Sequence, residues 1–210
     1  MLFRALASVA VVGAVIAAPV AFDTAEPLTA AAPVAMTTFN IDQSHSQMQF
    51  KVRHLGVSTV IGRFATFAGT FQLDPATGTA GAANLSIDVA SVSTGNDRRD
   101  THLKSADFFA ADSFPKITFV STGIQKLATN KYKVSGNLTM RGVTKPVVLD
   151  AELAGARQTA EGWIAGVNLT GTVKRKEYGL MWDRITEGVA VVSDDITLDI
   201  GVEAKSAKQP

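Results

Sequence analysis

The sequence predicts an all-β protein: an extended antiparallel β-barrel of about eight strands with one short helical segment at a rim. Three observations predict it. From Thr37 onward apolar and polar residues alternate with period two, the signature of strands with one dry and one wet face. The alternating segments are joined by short turns rather than long crossovers. One stretch alone, residues 96–109, carries helix signals.

Taken in order, Met48, Phe50, Val52 and His54 share one face opposite Gln47, Gln49, Lys51 and Arg53. Residues 58–73 place Phe67, Phe71 and Leu73 on one parity, and Asp74-Pro75-Ala76-Thr77-Gly78 then supplies turn formers in sequence. Leu85, Ile87 and Val89 alternate with Ser86, Asp88 and Ala90, and a strand over residues 80–91 would run about 40 Å. In residues 96–109, Thr94 or Asn96 can cap the helix and Asp100 and Lys104 have the favourable four-residue spacing. Single faces recur in Ile117 and Phe119, in Tyr132, Val134, Leu138 and Met140, and in Val147, Leu149, Ala151 and Leu153. Trp163, Ala165, Val167 and Leu169 follow, and Val192, Ile196, Leu198, Ile200 and Val202 close the chain.

Closure into a barrel removes the edges that such strands would otherwise expose. A barrel of about eight strands is either filled by its own side chains or just wide enough for a slender ligand. Ala65, Gly69, Gly136, Ala151, Ala165 and Gly171 are interleaved with the dry-face aromatics. Small residues there imply room for a long apolar guest, because an empty void would cost the core its dispersion contacts. The other reading of the same residues is Gly and Ala at bends around a closed core.

The first 35 residues differ from the rest. Arg4, an apolar stretch from Leu6 to Ala18 and a run rich in Ala, Pro and Thr read as a secretory signal and leader, with cleavage between residues 21 and 35. The apolar stretch falls short of the roughly 20 residues that span a bilayer, so no integral membrane protein is expected after signal removal. Export, a domain over residues 37–205 and a disordered tail over 206–210 are the resulting expectations. With no cysteine, disulfides, thiolate metal sites and cysteine nucleophiles are excluded. The formal charge is +1 and becomes about +2 without the leader, which gives no reason to expect nucleic acid.

The residues that could carry chemistry are few. His45, His54 and His102 match no compact metal signature, so no metal is expected. Ser44, Ser46 and Ser58 lie near histidines, but no Gly-x-Ser-x-Gly elbow or triad order is present, and no catalytic residue is assigned. Asp97, Asp100 and Asp107 are accounted for by local pairing and capping. Arg63, Arg98, Arg99 and the Lys174-Arg175-Lys176 run are candidates for holding a lipid head group, through paired guanidinium bonds or the helix N-terminus. For Lys174 to Lys176, solvated surface charge is the better reading. Asn84-Leu-Ser, Asn137-Leu-Thr and Asn168-Leu-Thr match a glycosylation sequon but read as wet-face strand residues.

Several motifs together resemble the YceI-like family of polyisoprenoid-binding proteins. They are Phe39-Asn-Ile-Asp-Gln-Ser-His-Ser, Phe50-Lys-Val-Arg-His-Leu-Gly-Val-Ser, Gly62-Arg-Phe, Arg99-Asp-Thr-His-Leu-Lys-Ser-Ala-Asp-Phe-Phe, Phe114-Pro-Lys-Ile-Thr-Phe and Gly136-Asn-Leu-Thr-Met-Arg-Gly-Val-Thr-Lys-Pro-Val. The resemblance spans residues 38–204 in order. It implies a lipocalin-like barrel, a periplasmic location and a long pore for an isoprenoid chain such as a polyprenyl phosphate or a ubiquinone. Carried over, Phe50, Val52, His54, Phe64, Phe67 and Phe71 would line the pore or its mouth, and Asp107-Phe108-Phe109 would close one end. The dry-face residues Leu85, Ile87, Phe119, Leu138, Leu149 and Trp163 join them as ligand contacts, with Arg63 and Arg99 toward the head group. The chain departs from the family at Lys176-Glu177-Tyr178-Gly179, where Asp-Phe-Gly is usual, so the Tyr178 hydroxyl is expected among the head-group contacts. No cofactor other than the bound lipid is expected. The leading expectation is a binding or carrier protein and not an enzyme. The alternatives are a hydrolase or isomerase of such lipids using His54 or His102 as base, and an envelope stress interaction module. A homodimer is kept as a possible assembly.

Overall fold

The computed structural model describes residues 36–186 and 188–207. Its strands run in chain order as β1 (Thr37–Ile41), β2 (Gln47–His54), β3 (Ser58–Phe64), β4 (Phe67–Asp74), β5 (Thr79–Asp88) and β6 (Val92–Ser93). The helix α1 (Asp97–Lys104) follows, then β7 (Lys116–Ala128), β8 (Lys131–Met140), β9 (Val143–Thr159) and β10 (Gly162–Lys174). A small hairpin of β11 (Ile185–Thr186) and β12 (Val189–Ala190) precedes the closing strand β13 (Val192–Ser206). The residues read as leader and signal lie outside those described. β13 runs one residue past the expected domain end, and the Ser206 hydroxyl accepts from the Trp163 N–H at 2.9 Å.

The first six strands act as three interrupted staves. β1 with β2, β3 with β4, and β5 with β6 each form one long staff broken in the middle. With β7, β8, β9, β10 and β13 they make a closed antiparallel barrel of eight staves in which each pairs with the next in sequence. β13 closes the ring, pairing with β1 from Phe39↔Ser206 to Ile41↔Ala204 and with β2 from Gln47↔Gly201 to His54↔Val192.

The strand expected over residues 80–91 therefore stops at Asp88. A 3-10 turn at Val89–Ser91 interrupts it, where the Ser91 hydroxyl donates to the Asp88 carbonyl at 2.6 Å. The breaks in the three staves lie side by side and satisfy one another. Ala65 N–H donates to the Ser91 carbonyl, Thr66 N–H to the Ser91 hydroxyl, and Phe67 N–H to the Gln43 side-chain carbonyl. Backbone groups that the ladder gives up are thus paired by turn residues, as burial requires.

The helix is shorter than residues 96–109. The Asn96 side chain caps it by accepting from the Arg99 N–H, and it ends at Ser105, whose N–H and hydroxyl both donate to the His102 carbonyl. The chain then turns inward and buries Phe108 and Phe109. Asp100 does not pair with Lys104: it is buried, and its carboxylate accepts from the Thr94 N–H at 2.9 Å and hydroxyl at 2.5 Å, tying α1 to β6.

The core falls into two clusters. One sits at the helix end around Phe67, Val89, Val92, Phe108, Phe109 and Tyr178. The other sits at the opposite end around Phe39, Leu73, Tyr132, Leu153, Ala165 and Ala204. Phe39 and Phe71 stack there with ring centroids 5.2 Å apart.

Candidate functional site: an apolar barrel cavity

Between the two clusters the barrel is hollow. The cavity has a volume of about 260 Å³ and is lined from both ends of the molecule, from Leu103 and Phe109 near the helix to Leu73 and Leu153 near the opposite turns. At roughly 10–15 Å³ per water-sized sphere, that is space for on the order of twenty of them. Its wall is made of inward-parity residues: Met48, Phe50 and Val52 on β2, Ile117 and Phe119 on β7, Leu138 on β8, Leu149 and Ala151 on β9, and Ile196 to Val202 on β13. A cavity so lined has few polar partners for water and favours an apolar occupant.

Of the residues expected at the ligand, Phe50, Val52, Phe64, Phe71, Leu85 and Ile87 line this cavity, as do Phe108, Phe109, Phe119, Leu138 and Leu149. Six others stand elsewhere. Phe67 is buried, but it packs into the helix-end cluster. His54 sits half-buried at the last residue of β2, beyond the lining. Trp163 has inward parity but packs past the opposite end of the cavity. Arg63 is exposed on the outer face of β3, since its neighbours Gly62 and Phe64 take the buried side. Arg99 lies outside, donating from Nε to the Thr94 hydroxyl at 2.7 Å and from Nη2 to the Thr94 carbonyl at 3.0 Å.

Tyr178 is a correction of a different kind. Only 1% exposed, it belongs to the helix-end core rather than the cavity lining, and burial, with the Glu177 charge adding, pushes its phenol above the ordinary tyrosine value.

The small residues expected to leave room mostly do not. A Cβ on Gly136 would fall 2.3 Å from the Phe119 Cζ, and one on Gly171 2.5 Å from the Leu149 Cδ2. One on Gly62 would meet the Phe50 ring at 2.2 Å. These glycines seat large cross-strand side chains, the familiar use of glycine under an aromatic ring. Ala65 is exposed and Ala165 is packed in the core. Room arises instead from closure of eight staves with aliphatic filling along β9 and β13, where Val147, Leu149, Ala151 and Leu153 join Ile196, Leu198, Ile200 and Val202 in the cavity lining.

The expectation of surface charge over residues 174–176 describes Lys174 and Lys176, which reach Asp195 at 2.8 Å and Asp183 at 2.7 Å. Arg175 itself is 3% exposed. Its Nε donates to the Ser193 carbonyl, Nη1 to those of Leu180 and Trp182 at 2.6 Å each, and Nη2 to that of Val192. Burial draws the guanidinium's pKa down, opposed by Asp183 and Asp194. Arg175 borders the cavity, yet its donors are engaged by the backbone of the segment leading into β13. Arg141 ties the same end together, donating from Nη1 to the Gly179 carbonyl and from Nη2 to that of Ala106 at 2.8 Å.

The three histidines fall on separate elements. His102 Nε2 lies 2.9 Å from the Asp107 carboxylate, and its ring packs edge-on against Phe108 and Trp182. His45 Nδ1 lies 3.0 Å from Asp42 and 3.1 Å from the Ser44 hydroxyl. This brings Ser, His and Asp together, but both contacts fall on the same ring nitrogen, so no relay from acid through imidazole to hydroxyl exists. Glu203 completes a group of possible metal ligands with Asp42 and His45, but Lys205 Nζ already sits 2.5 Å from the Asp42 carboxylate. The bonds from Lys205, Ser44 and His45 hold the Asp42 carboxyl well below the usual carboxylate range, and a metal would have to displace that ammonium.

Comparison with known proteins agrees with this architecture. The model of the YceI-like domain matches residues 39–204. A UPF0312 protein of Pectobacterium atrosepticum is 38% identical over 171 residues, 81% of this chain and 86% of that protein. The crystal structure of a Campylobacter jejuni YceI protein is 36% identical and superposes with a TM-score of 0.65 over 80% of this chain and 96% of that one. Burkholderia cenocepacia BcnA superposes at 0.69 with 25% identity, covering 79% and 99%. A polyisoprenoid-binding domain from Saccharophagus degradans shares the fold at a TM-score of 0.57 and 19% identity. The residues matched span the whole barrel, and on that ground this chain belongs to the YceI-like domain family.

Proposed function

We propose that this protein is a periplasmic carrier that holds an isoprenoid lipid, a polyprenyl phosphate or a quinone-like molecule, inside the barrel and performs no chemistry on it. The observation that carries the reading is the apolar cavity between the two core clusters, lined from one end of the barrel to the other. Each methylene of a guest moved from water into such a lining contributes about 0.8 kcal/mol. Several of these contributions go to offset the ordering of a flexible chain. The description of the Saccharophagus relative as polyisoprenoid-binding supports the same class of guest. Among the described residues no helix is long and apolar enough to cross a membrane, which fits a carrier that shields its cargo. The ligand contacts proposed are the lining residues Phe50, Phe71, Leu85, Phe119, Leu138 and Leu149.

The test is organic extraction of the protein purified from a periplasmic fraction, followed by mass spectrometry. A stoichiometric prenyl lipid is the expected result. Protein that is folded and free of lipid, and that takes up none from vesicles, refutes the carrier reading.

A further inference from the structure

We infer that the cavity communicates with the outside through the side of the barrel, at the seam between β5 and β7, and that the polar end of the guest sits there. The inference rests on the carrier reading and adds to it a route and a class of head group.

The first observation is an interrupted ladder. β5 pairs with β7 only from Asp88↔Lys116 to Asn84↔Val120, although β5 continues to Thr79 against β4 and β7 continues to Ala128 against β8. Past Asn84 the two strands are joined by side chains. The Ala83 N–H donates to the Ser121 hydroxyl at 2.8 Å, and at the foot of the seam the turn before β5 is held by Lys126 Nζ of β7, which donates to the Thr77 carbonyl at 2.8 Å, and by the Tyr132 hydroxyl of β8, which donates to that of Gly78 at 2.6 Å. Between these bridges β5 carries only the short side chains of Thr79, Ala80 and Ala82 with Gly81, and the ends of the Met36 and Gln72 side chains lie over Gly81. By contrast β10 and β13 pair without interruption from Ile164↔Lys205 to Lys174↔Asp195. Short or shifted stretches occur elsewhere too: β1 pairs with β13 only over Phe39–Ile41, β2 with β13 shifts register between Val192 and Ile196, and the ladder between β3 and β6 lies at the helix end, where Phe109 packs edge-on against Phe64 at 5.8 Å. Opening the β5–β7 seam needs a few side-chain bonds to break, and opening most other seams needs a ladder to break.

The second observation is independent of the first. Strand residues of inward parity make up nearly the whole cavity lining, but Thr70, Gln72 and Asn84 have outward parity and line it nonetheless. All three lie on β4 and β5 beside the seam. The Asn84 amide donates to the Thr70 hydroxyl at 2.8 Å and the Gln72 side-chain oxygen lies over Gly81, so these polar groups, with Gln72 and Asn84 exposed, stand at the outer mouth of the seam rather than in the apolar interior. These groups are neutral. The one cation in the lining, Arg175, is at the helix end and engaged by backbone carbonyls. The seam therefore suits an uncharged, hydrogen-bonding head (an alcohol, an amide or a quinone carbonyl) better than a phosphate.

The absence of native cysteine allows a clean test. Transfer of tritiated geranylgeraniol from phosphatidylcholine vesicles would be followed for wild type and for Ala83→Cys/Ser121→Cys, oxidised and reduced, with geranylgeranyl monophosphate as the charged comparison. Oxidation is expected to slow uptake about tenfold or more, because the local opening that admits the chain is blocked, and reduction to restore it. A control bridge across a laddered seam, Asn168→Cys/Gly201→Cys, leaves uptake unchanged, and wild type prefers the alcohol to the phosphate. Should the first bridge fail to form, Ala82→Cys capped with a polyethylene glycol maleimide is expected to slow uptake likewise. Equal rates with the seam bridged or capped, or equal slowing by the control, overturn the lateral route while the carrier reading stands. A preference for the phosphate overturns the assignment of the head group. No uptake by wild type overturns both the route and the carrier reading.

Discussion

Replacing Arg175 with Met tests how the helix end of the barrel is held. The methionine roughly matches the aliphatic stem, but four backbone carbonyls, those of Leu180, Trp182, Val192 and Ser193, lose their donors in a site where the side chain is 3% exposed. At about 1.5 kcal/mol for each hydrogen bond to a charged donor, the loss is about 6 kcal/mol. Removing a buried cation returns part of this, since the guanidinium no longer has to be stripped of water, and about 3 kcal/mol of net destabilisation remains. Against a total stability of about 5–15 kcal/mol this is a large fraction. Urea unfolding followed by tryptophan fluorescence would show a lower midpoint with an unchanged slope, as for a change in stability alone. Arg175→Lys is expected to recover only part, because an ammonium offers three donors without the planar fork. A loss of less than about 1 kcal/mol in Arg175→Met would refute the reasoning, since four carbonyls left without this donor, that of Leu180 buried and the other three part-buried, cannot together be that cheap.

Gly136→Val places a side chain where the Phe119 ring lies and is expected to cost about 1–3 kcal/mol in thermal or urea unfolding, whereas Gly123→Ala, with nothing within 4 Å, is expected to be close to neutral. Asn96→Ala removes the cap of α1 and should cost about 1 kcal/mol by the same assay. Burial raises the Tyr178 phenol in the folded state, so its contribution is fully present below the unfolded value near 10.0 and is lost as pH rises through the folded one. The midpoint of thermal unfolding should accordingly fall above about pH 10, and less steeply in Tyr178→Phe. Asp42 is shifted the opposite way, so its contribution holds above the unfolded value of 3.8 and is lost as pH falls toward its lower folded value. Asp42→Asn should flatten the acid limb of the stability curve.

Much of the barrel was legible in the sequence because period-two alternation survives wherever one strand face is wet. Leu85, Phe119, Leu138 and Leu149 stand on the dry face by parity and line the cavity, as do Phe50 and Val52, which the family resemblance also points to. What parity could not show was how far along a strand the cavity extends: Trp163 has the right parity and lies past its end. Nor could it show the breaks at residues 42–46, 65–66 and 89–91, because their compensating bonds run between segments distant in sequence. Charged residues were the hardest to read. Lys174, Arg175 and Lys176 look alike in the chain, yet a 3-10 turn sends the middle one into the protein and its neighbours to surface carboxylates. Glycines on the dry face gave an opposite lesson, since three of them seat a neighbour's side chain rather than leave space.

The most direct test of the filled barrel is an isotope-filtered NOE spectrum of the protein loaded with carbon-13-labelled geranylgeraniol. The account predicts cross-peaks from the guest to methyl groups at both ends of the cavity, Leu103 and Ile196 toward the helix and Leu149 and Leu153 toward the opposite turns. Cross-peaks confined to exposed methyls such as those of Ile185 and Val57, with none from the barrel interior, would contradict it.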